Sequence, residues 1–286
     1  MSDTSDLVTS VLVTGASTGI GRATALRLAA AGFTVFAGVR KQADADGLTA
    51  AASGASGALV PLMLDVSDAR AIANAAKTIS AQVGDRGLDG LVNNAGIAAA
   101  APLEFVPIDE FRNQLEVNVV GQLAVTQAVL PMLRAARGRI VNVTSVGGLI
   151  AGTMLGPYHA SKFALEAMTD TLRVELRPWG ITVVAIEPGA IATPIWATSS
   201  DRSDRMLAGA DEAERLYSAS IADARASAAK SARDGLPADE VAKVIEKALT
   251  VSTPRTRYPV GMDAKIGSAV IAKLPDRLRD RLLKRR

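Results

Sequence analysis

In the pentapeptide Tyr158-His159-Ala160-Ser161-Lys162, a phenol and an ammonium stand four residues apart. On a helix that spacing puts both on one side of a single turn. A free phenol has a pKa of about 10, so proton transfer near neutrality needs a stabilised phenolate, each unit of lowering being worth about 1.4 kcal/mol. A positive charge one turn away is a stabiliser of that kind. The chemistry open to the pair is therefore general acid–base transfer of one proton. A lone helical tyrosine also serves in ordinary amphipathic packing, so the spacing alone leaves both readings standing.

A second stretch, TGASTGIG at residues 14–21, follows directly on the apolar run VLVT. Gly15, Gly19 and Gly21 permit a tight turn, close approach of backbone N–H groups to a pyrophosphate, and tight packing of the helix that starts there, whose N-terminus favours an anion. Their spacing is G-x-x-x-G-x-G rather than G-x-G-x-x-G, so the loop reads either as a phosphate cradle or as a structural strand-to-helix turn. NAD-selective sites place a carboxylate about 20 residues beyond the first glycine. Here the chain reads AGVRK, with Val39 ending the run and no acid before Asp44. Arg40 offers a cation for a 2′-phosphate and Ser17 a hydroxyl donor, so NADP(H) is favoured over NAD(H); the competing reading makes Arg40 a solvated loop residue.

Other chemistries are narrowed by composition. The chain has no cysteine, which removes disulfides and thiolate nucleophiles, and its single histidine makes a histidine metal centre poor chemistry. A Ser-His-Asp scheme would need His159 as the base, and a histidine beside a helical tyrosine is more often structural. The pI of 9.3 suggests nucleic acid at first sight. Residues 273–286, however, carry seven Lys or Arg and two Asp out of a whole-chain net charge of +3, so the remainder is slightly acidic. With 3% aromatic residues there are few stacking platforms either, and nucleic acid is not an expected partner.

These residues must be positioned by something, and the alternation of apolar runs with alanine-rich stretches supplies it. Strands are expected at VLVT, FTVFAGV, ALVPLML, LDGLVNN, RIVNVTS and ITVVAIE, each nearly all apolar as for strands covered on both faces. Helices are expected over 19–31, 68–83, 108–136, 158–177 and 237–249, with a short strand at 257–260 and a helical C-terminal stretch. The fold class is α/β: a single doubly wound parallel sheet over residues 1–286. Residues 193–235, rich in Ala, Ser, Asp and Arg, read as a mobile-looking substrate lid. The first ten residues lack the order of a signal peptide, and no uninterrupted apolar run approaches the roughly 18 residues of a membrane span, so a soluble, cytoplasmic protein is expected.

Taken in order, the motifs resemble those of the short-chain dehydrogenase/reductase family over residues 11–195, a family built on the Rossmann fold. TGASTGIG is similar to its cofactor loop, bringing in Gly15, Ser17, Thr18, Gly19, Ile20 and Gly21. LDV with Asp65 and Val66 resembles its adenine-contacting turn, although DVSD also reads as a helix cap. In NNAG, the resemblance implies that Asn93 stitches strands together while Asn94, Ala95 and Gly96 pass the cofactor. EPGAIATP implies Pro188, Gly189, Ile191 and Thr193 beside the nicotinamide. Asn118, Ser145, Tyr158 and Lys162 match the catalytic positions. A hydride moving to a carbonyl carbon leaves charge on oxygen that must gain a proton. The resemblance gives that proton to Tyr158, orientation of the substrate oxygen to Ser145, phenolate stabilisation and ribose binding to Lys162, and a water linking Lys162 to solvent to Asn118. Taken singly, Ser145 also reads as a turn residue and Asn118 as a partner for backbone groups.

The substrate wall implied by the family comprises Leu149, Met154, Leu155, Ile195 and Trp196, with little fixed charge, which suits a hydrophobic ketone, aldehyde or alcohol. The arrangement resembles the retinol dehydrogenase and 17β-hydroxysteroid dehydrogenase branch. So does the C-terminal segment 262–286, where Ile266, Val270, Leu274, Leu278 and Leu282 recur every four residues among Arg and Lys. It could dock on the protein body, pair with another subunit or make weak contact with an anionic membrane surface, in that order of preference. Helices from 108 and 158 are where the family forms homodimers and homotetramers. Rival functions are an NAD(H)-dependent alcohol dehydrogenase of the same fold and a dinucleotide-sensing regulator without turnover, which would be expected to lose the proton-transfer residues.

Overall fold

A computed structural model describes residues 10–283. Its strands and helices alternate: β1 (Ser10–Val13), α1 (Gly19–Ala30), β2 (Thr34–Val39), α2 (Gln42–Ala51), β3 (Ala58–Met63), α3 (Ala69–Val83) and β4 (Gly90–Asn93). Next come α4 (Ile108–Leu115), α5 (Gly121–Ala136), β5 (Arg139–Val143), α6 (Gly156–Glu175) and β6 (Thr182–Pro188). The remainder is β7 (Ile191–Ala192), α7 (Ile195–Leu207), α8 (Asp211–Asp234), β8 (Leu236–Pro237), α9 (Ala238–Thr250), β9 (Arg257–Val260), α10 (Met262–Ala269) and α11 (Asp276–Leu283).

Seven strands form one parallel sheet in the order β3-β2-β1-β4-β5-β6-β9. Successive side chains of a strand face opposite ways, and β1 shows it: Val11 and Val13 enter the core layer with α1 and α9, whereas Leu12 joins the layer with α3 and α5. Burial on both faces explains why the strands read as continuous apolar runs rather than alternating ones. Strand order reverses beside β1, where β2 lies on one side and β4 on the other, and a crevice opens there beyond the carboxyl ends of the strands.

Four elements depart from expectation. α2 was not anticipated, since QADADGLTAA buries only Ala45 and Leu48 and carries a central glycine. The long helix over 108–136 is interrupted by a π-helical turn at Glu116–Val120. Ile108–Ala136 is apolar and long enough to cross a membrane by length and composition, but here Val125, Val129 and Leu133 pack beneath the sheet. The lid, expected to look mobile, is two helices, α7 and α8, closed at their base by pairing of Ile191 with Leu236 and Ala192 with Pro237.

The C-terminal stretch is likewise not one amphipathic helix, because Pro275 separates α10 from α11. α10 docks on the body through Ala264 and Gly267, while α11 buries no residue, so docking holds for the first half of the segment only.

Candidate active site

The crevice holds a cavity of about 740 Å³. Its floor at one end is the loop between β1 and α1, where Gly15, Ser17, Thr18, Gly19 and Ile20 line the wall. Gly15 adopts φ +63°, and a Cβ there would lie 2.8 Å from the Ala95 Cα, so only glycine fits beneath the β4 loop. Gly21 does not reach the cavity; its role is close packing, since a Cβ would collide with the Gly15 carbonyl and the Asn94 amide. Thr18 leads into α1 without a side-chain cap and no acid sits in the first turn, leaving the helix N-terminus suited to an anion.

Arg40, Asp65 and Val66 line the cavity beyond the ends of β2 and β3, and Arg40 is exposed. The Asp65 carboxylate accepts hydrogen bonds from the Ser67 backbone N–H at 3.0 Å and its hydroxyl at 2.7 Å. Burial pushes the Asp65 carboxyl up, but these bonds and the nearby Arg40 charge leave it below the ordinary carboxylate range. The cap of α3 is Asp68, which accepts from Arg70 and Ala71, so the reading of Asp65 as that cap is corrected. Asn94, Ala95 and Gly96 line the middle of the cavity, with the Asn94 side chain donating to the Thr14 and Gly15 carbonyls. Asn93 donates to Thr126 and Asn142, joining β4 to its neighbours. Pro188, Gly189, Ile191 and Thr193 close the far side.

The donor set suits a dinucleotide: an uncapped helix N-terminus behind a glycine loop, a cation and a carboxylate at one end, and small residues along the middle. Among the described residues no group of three His, Asp or Glu could hold a metal ion.

Ser145, Tyr158 and Lys162 line the same cavity, Ser145 from just beyond β5 and the other two from the first turns of α6. Ser145 Oγ accepts from the Gly147 N–H at 3.0 Å and lies 3.4 Å from the Pro188 carbonyl oxygen. Lys162, 6% exposed, donates from Nζ to the Val143 carbonyl at 2.9 Å, and Nζ sits 5.8 Å from the centroid of the Tyr158 ring. Burial pulls the Lys162 ammonium down to about 8, with the Glu166 charge opposing. Burial also pushes the Tyr158 phenol up, opposed by a hydrogen bond with Ser145. The expected lowering of the phenol is therefore reversed in the protein alone: desolvation outweighs an ammonium that faces the ring and bonds a backbone carbonyl.

Asn118 sits elsewhere. It is fully buried in the π-helical turn and does not line the cavity. Its Oδ1 accepts from the Ile97 N–H at 2.8 Å, and Nδ2 donates to the Ile97 carbonyl and the Ser161 hydroxyl, both at 2.9 Å. The side chain thus ties the loop after β4 to α6. His159 uses both ring nitrogens structurally: Nδ1 lies 2.8 Å from the Gly147 carbonyl and Nε2 accepts from the Gly152 N–H at 3.1 Å. Burial lowers its pKa, so the neutral ring is favoured and no nitrogen is left as a base for Ser145.

On the substrate side Leu155, Ile195 and Trp196 line the cavity, with the Trp196 indole donating to the Ile191 carbonyl at 2.6 Å. Leu149 and Met154 do not. Met154, held at φ 70°, packs instead with Ala101, Val106 and Leu207 under the lid. The wall is also less apolar than expected, because Thr198, Asp201, Arg202 and Arg205 of α7 face the cavity. Their spacing after Ile195 is helical, a signal that was present once the lid was read as a helix. Asp263 of α10 was missed too; it lines the cavity and accepts from the Ala190 N–H at 2.7 Å, and nothing local in the sequence marks it. α7 and α8 are held to the body by Arg202 paired with Glu110 at 2.8 Å, Tyr217 donating to Glu104 at 2.7 Å and the Ala100 N–H donating to Ser203 at 2.9 Å.

A parallel sheet with an anion-binding first turn at its switch point and a phenol–ammonium pair in the same crevice defines a dinucleotide-dependent oxidoreductase of the Rossmann type. The chain belongs to the short chain dehydrogenase family, whose model matches residues 9–204. It is 38% identical to retinol dehydrogenase 5 of Mus musculus over 96% of this chain and 87% of that protein. It is 36% identical to the NADPH-dependent 3-dehydrocapnine reductase of Ornithobacterium rhinotracheale over 95% and 94% of the two chains. Among solved structures, a short chain dehydrogenase from Burkholderia cenocepacia in complex with NADP superposes with a TM-score of 0.73 at 25% identity, covering 97% of this chain and 98% of that one. The protein is accordingly an oxidoreductase acting on CH–OH or C=O groups of small molecules.

Proposed function

We propose that the protein is an NADP(H)-dependent oxidoreductase interconverting a hydrophobic ketone or aldehyde and its alcohol, with Tyr158 as general acid–base. The observation that carries this reading is one cavity lined at one end by Arg40 and the glycine loop and at the other by Ser145, Tyr158, Lys162, Leu155, Ile195 and Trp196. A bound nicotinamide supplies the hydride. Ser145 donates to the substrate oxygen and orients it, and Tyr158 gives its proton as charge grows there. Because burial raises the phenol, Tyr158 carries that proton at neutral pH, the state carbonyl reduction requires. In the reverse direction the Lys162 charge stabilises the phenolate. Leu155, Ile195 and Trp196 exclude water around the carbonyl, and the charged face of α7 lies further along the lid.

NADP(H) is supported by Arg40 at the end of β2, where no acid stands, by the NADPH dependence in the name of the Ornithobacterium relative and by the NADP in the Burkholderia structure. Fluorescence titration tests it: Arg40→Ala should weaken NADPH binding by about 10-fold or more, as for loss of a charge-assisted bond, and leave NADH nearly unchanged. Equal losses for the two would remove the assignment. Tyr158→Phe should keep NADPH affinity and lose about 10²- to 10⁴-fold in kcat on a panel of hydrophobic carbonyls. Cofactor binding with no turnover on any of the panel would favour the sensing regulator. Exposed Ile108, Val120, Phe163 and Val174 on and between α4, α5 and α6 support self-association as a homodimer or homotetramer, which light scattering would test.

A further inference from the structure

One turn beyond Lys162, Glu166 is 5% exposed, and its Oε1 is buried with no hydrogen-bond partner among the described residues. Its Oε2 accepts from Arg257 Nη1 on the edge strand β9. The same guanidinium donates to Glu187 of β6 at 3.0 Å and to Asp170 of α6 at 2.6 Å, and Asp170 also pairs with Arg173 at 2.5 Å. Three carboxylates thus share two guanidinium groups, so the cluster keeps an excess of negative charge. A half-satisfied buried carboxylate is costly, and a fold retains one where some other group gains from it.

The buried cation one turn back on the same helix is Lys162. Residues four apart share a helix face, so two buried side chains of opposite charge stand one turn apart on α6, and the turn after Ser145 packs against that face: a Cβ on Gly148 would lie 2.8 Å from the Lys162 backbone carbonyl oxygen and 3.0 Å from the Glu166 Cγ. Lys162 is itself buried, and among the described residues a neutral carbonyl is the one acceptor of its Nζ. We propose that Glu166 is a positioning residue for Lys162: its Arg257-anchored carboxylate is the fixed counter-charge that keeps the buried lysine an ammonium. The inference rests on the assignment of Lys162 to the cofactor and phenol made above.

The charged and titratable groups around the pair agree with this role. On α6 they are Tyr158, His159, Asp170 and Arg173; β6 brings Glu187, β9 brings Arg257, and Asp263 of α10 lines the same cavity as Lys162. His159 is favoured as the neutral ring, burial raises Glu187, and Glu166 is the charge that opposes the fall of Lys162 toward 8.

The test uses the pH dependence of NADPH affinity in a Tyr158→Phe background, where the phenol no longer titrates. Binding should weaken as pH rises through the lysine pKa, and Lys162→Met should abolish that dependence. Adding Glu166→Gln should move the midpoint to lower pH by about half a unit or more, as for loss of a nearby opposite charge. Glu166→Asp should restore it, and Asp170→Asn, on the same guanidinium, should not move it. Glu166→Gln leaves Arg257 its two other carboxylates; should it nevertheless fail to fold in thermal unfolding, Glu166→Met is expected to show the same shift. A midpoint that depends on Lys162 but is unmoved in a folded Glu166 variant overturns the proposal. A pH dependence that survives Lys162→Met instead overturns the assignment of Lys162 on which it rests.

Discussion

Burial disfavours the charged form of both members of the Tyr158–Lys162 pair, and this has a cost in the fold. Lys162 titrates near 8 in the native protein against an ordinary value of 10.5. Between those values the unfolded chain binds the proton that the native one has released, so native stability contributed by this group rises with pH across the window. Below pH 8 the buried ammonium is a net liability. In urea unfolding of the cofactor-free protein, the stability of wild type relative to Lys162→Met should therefore increase by about 2 kcal/mol between pH 7 and pH 10. A difference that stays flat would show that the ammonium is not disfavoured by the fold. In the function proposed for Lys162, the corresponding gain is a charge already in place in a dry site, where its field is strongest.

At the scale of elements, Gly21 of α1 and Gly47 of α2 make opposite demands. A Cβ at Gly21 would run into the Gly15 carbonyl and the Asn94 amide, groups that hold the loop to β4. Gly47, inside α2, has nothing within 4 Å of the point an alanine methyl would occupy and no left-handed φ. Gly21→Ala should thus destabilise by about 2 kcal/mol or more and weaken NADPH binding. Gly47→Ala should stabilise by about 0.5–1 kcal/mol through helix propensity alone. Chemical denaturation of both variants separates the two cases, and similar effects at the two sites would contradict the packing described for Gly21.

Across the whole molecule the two halves of the C-terminal segment are not equivalent. α10 buries Ala264 and Gly267, the latter against Val146 and Ile150, and carries Asp263 to the Ala190 N–H beside Gly189. α11 buries nothing and leaves Leu278 and Leu282 about half exposed. Ending the chain after Leu274 should leave the melting temperature and NADPH affinity near wild type, since surface changes of this kind are worth about 0.5 kcal/mol or less. Ending it after Val260 should lower both, because the cavity loop at Gly189 and Ala190 loses its anchor. Thermal unfolding and fluorescence titration of the two truncations would decide, and a shorter form as stable and as tight-binding as the longer would remove the role given to α10.

The sequence by itself determined the α/β architecture: the central strands β1, β2, β4, β5 and β6 are legible because strands buried on both faces must be apolar throughout, while the edge strands β3 and β9, partly exposed, were placed by their short runs between helices. The motif residues Gly15, Ser145, Tyr158 and Lys162 were marked by type and spacing, and the structure brings all four to one cavity; only Gly15 is also fixed by its backbone, at φ +63°. Tertiary structure alone decided what the spacing could not carry. The helical lid turned Asp201, Arg202 and Arg205 toward the cavity and Met154 away from it. The π-helical turn gave Asn118 to Ile97 and Ser161, and the far end of the chain brought Asp263 to Ala190. The direction of the Tyr158 shift followed from desolvation, a property of everything packed around the ring rather than of its neighbours in sequence.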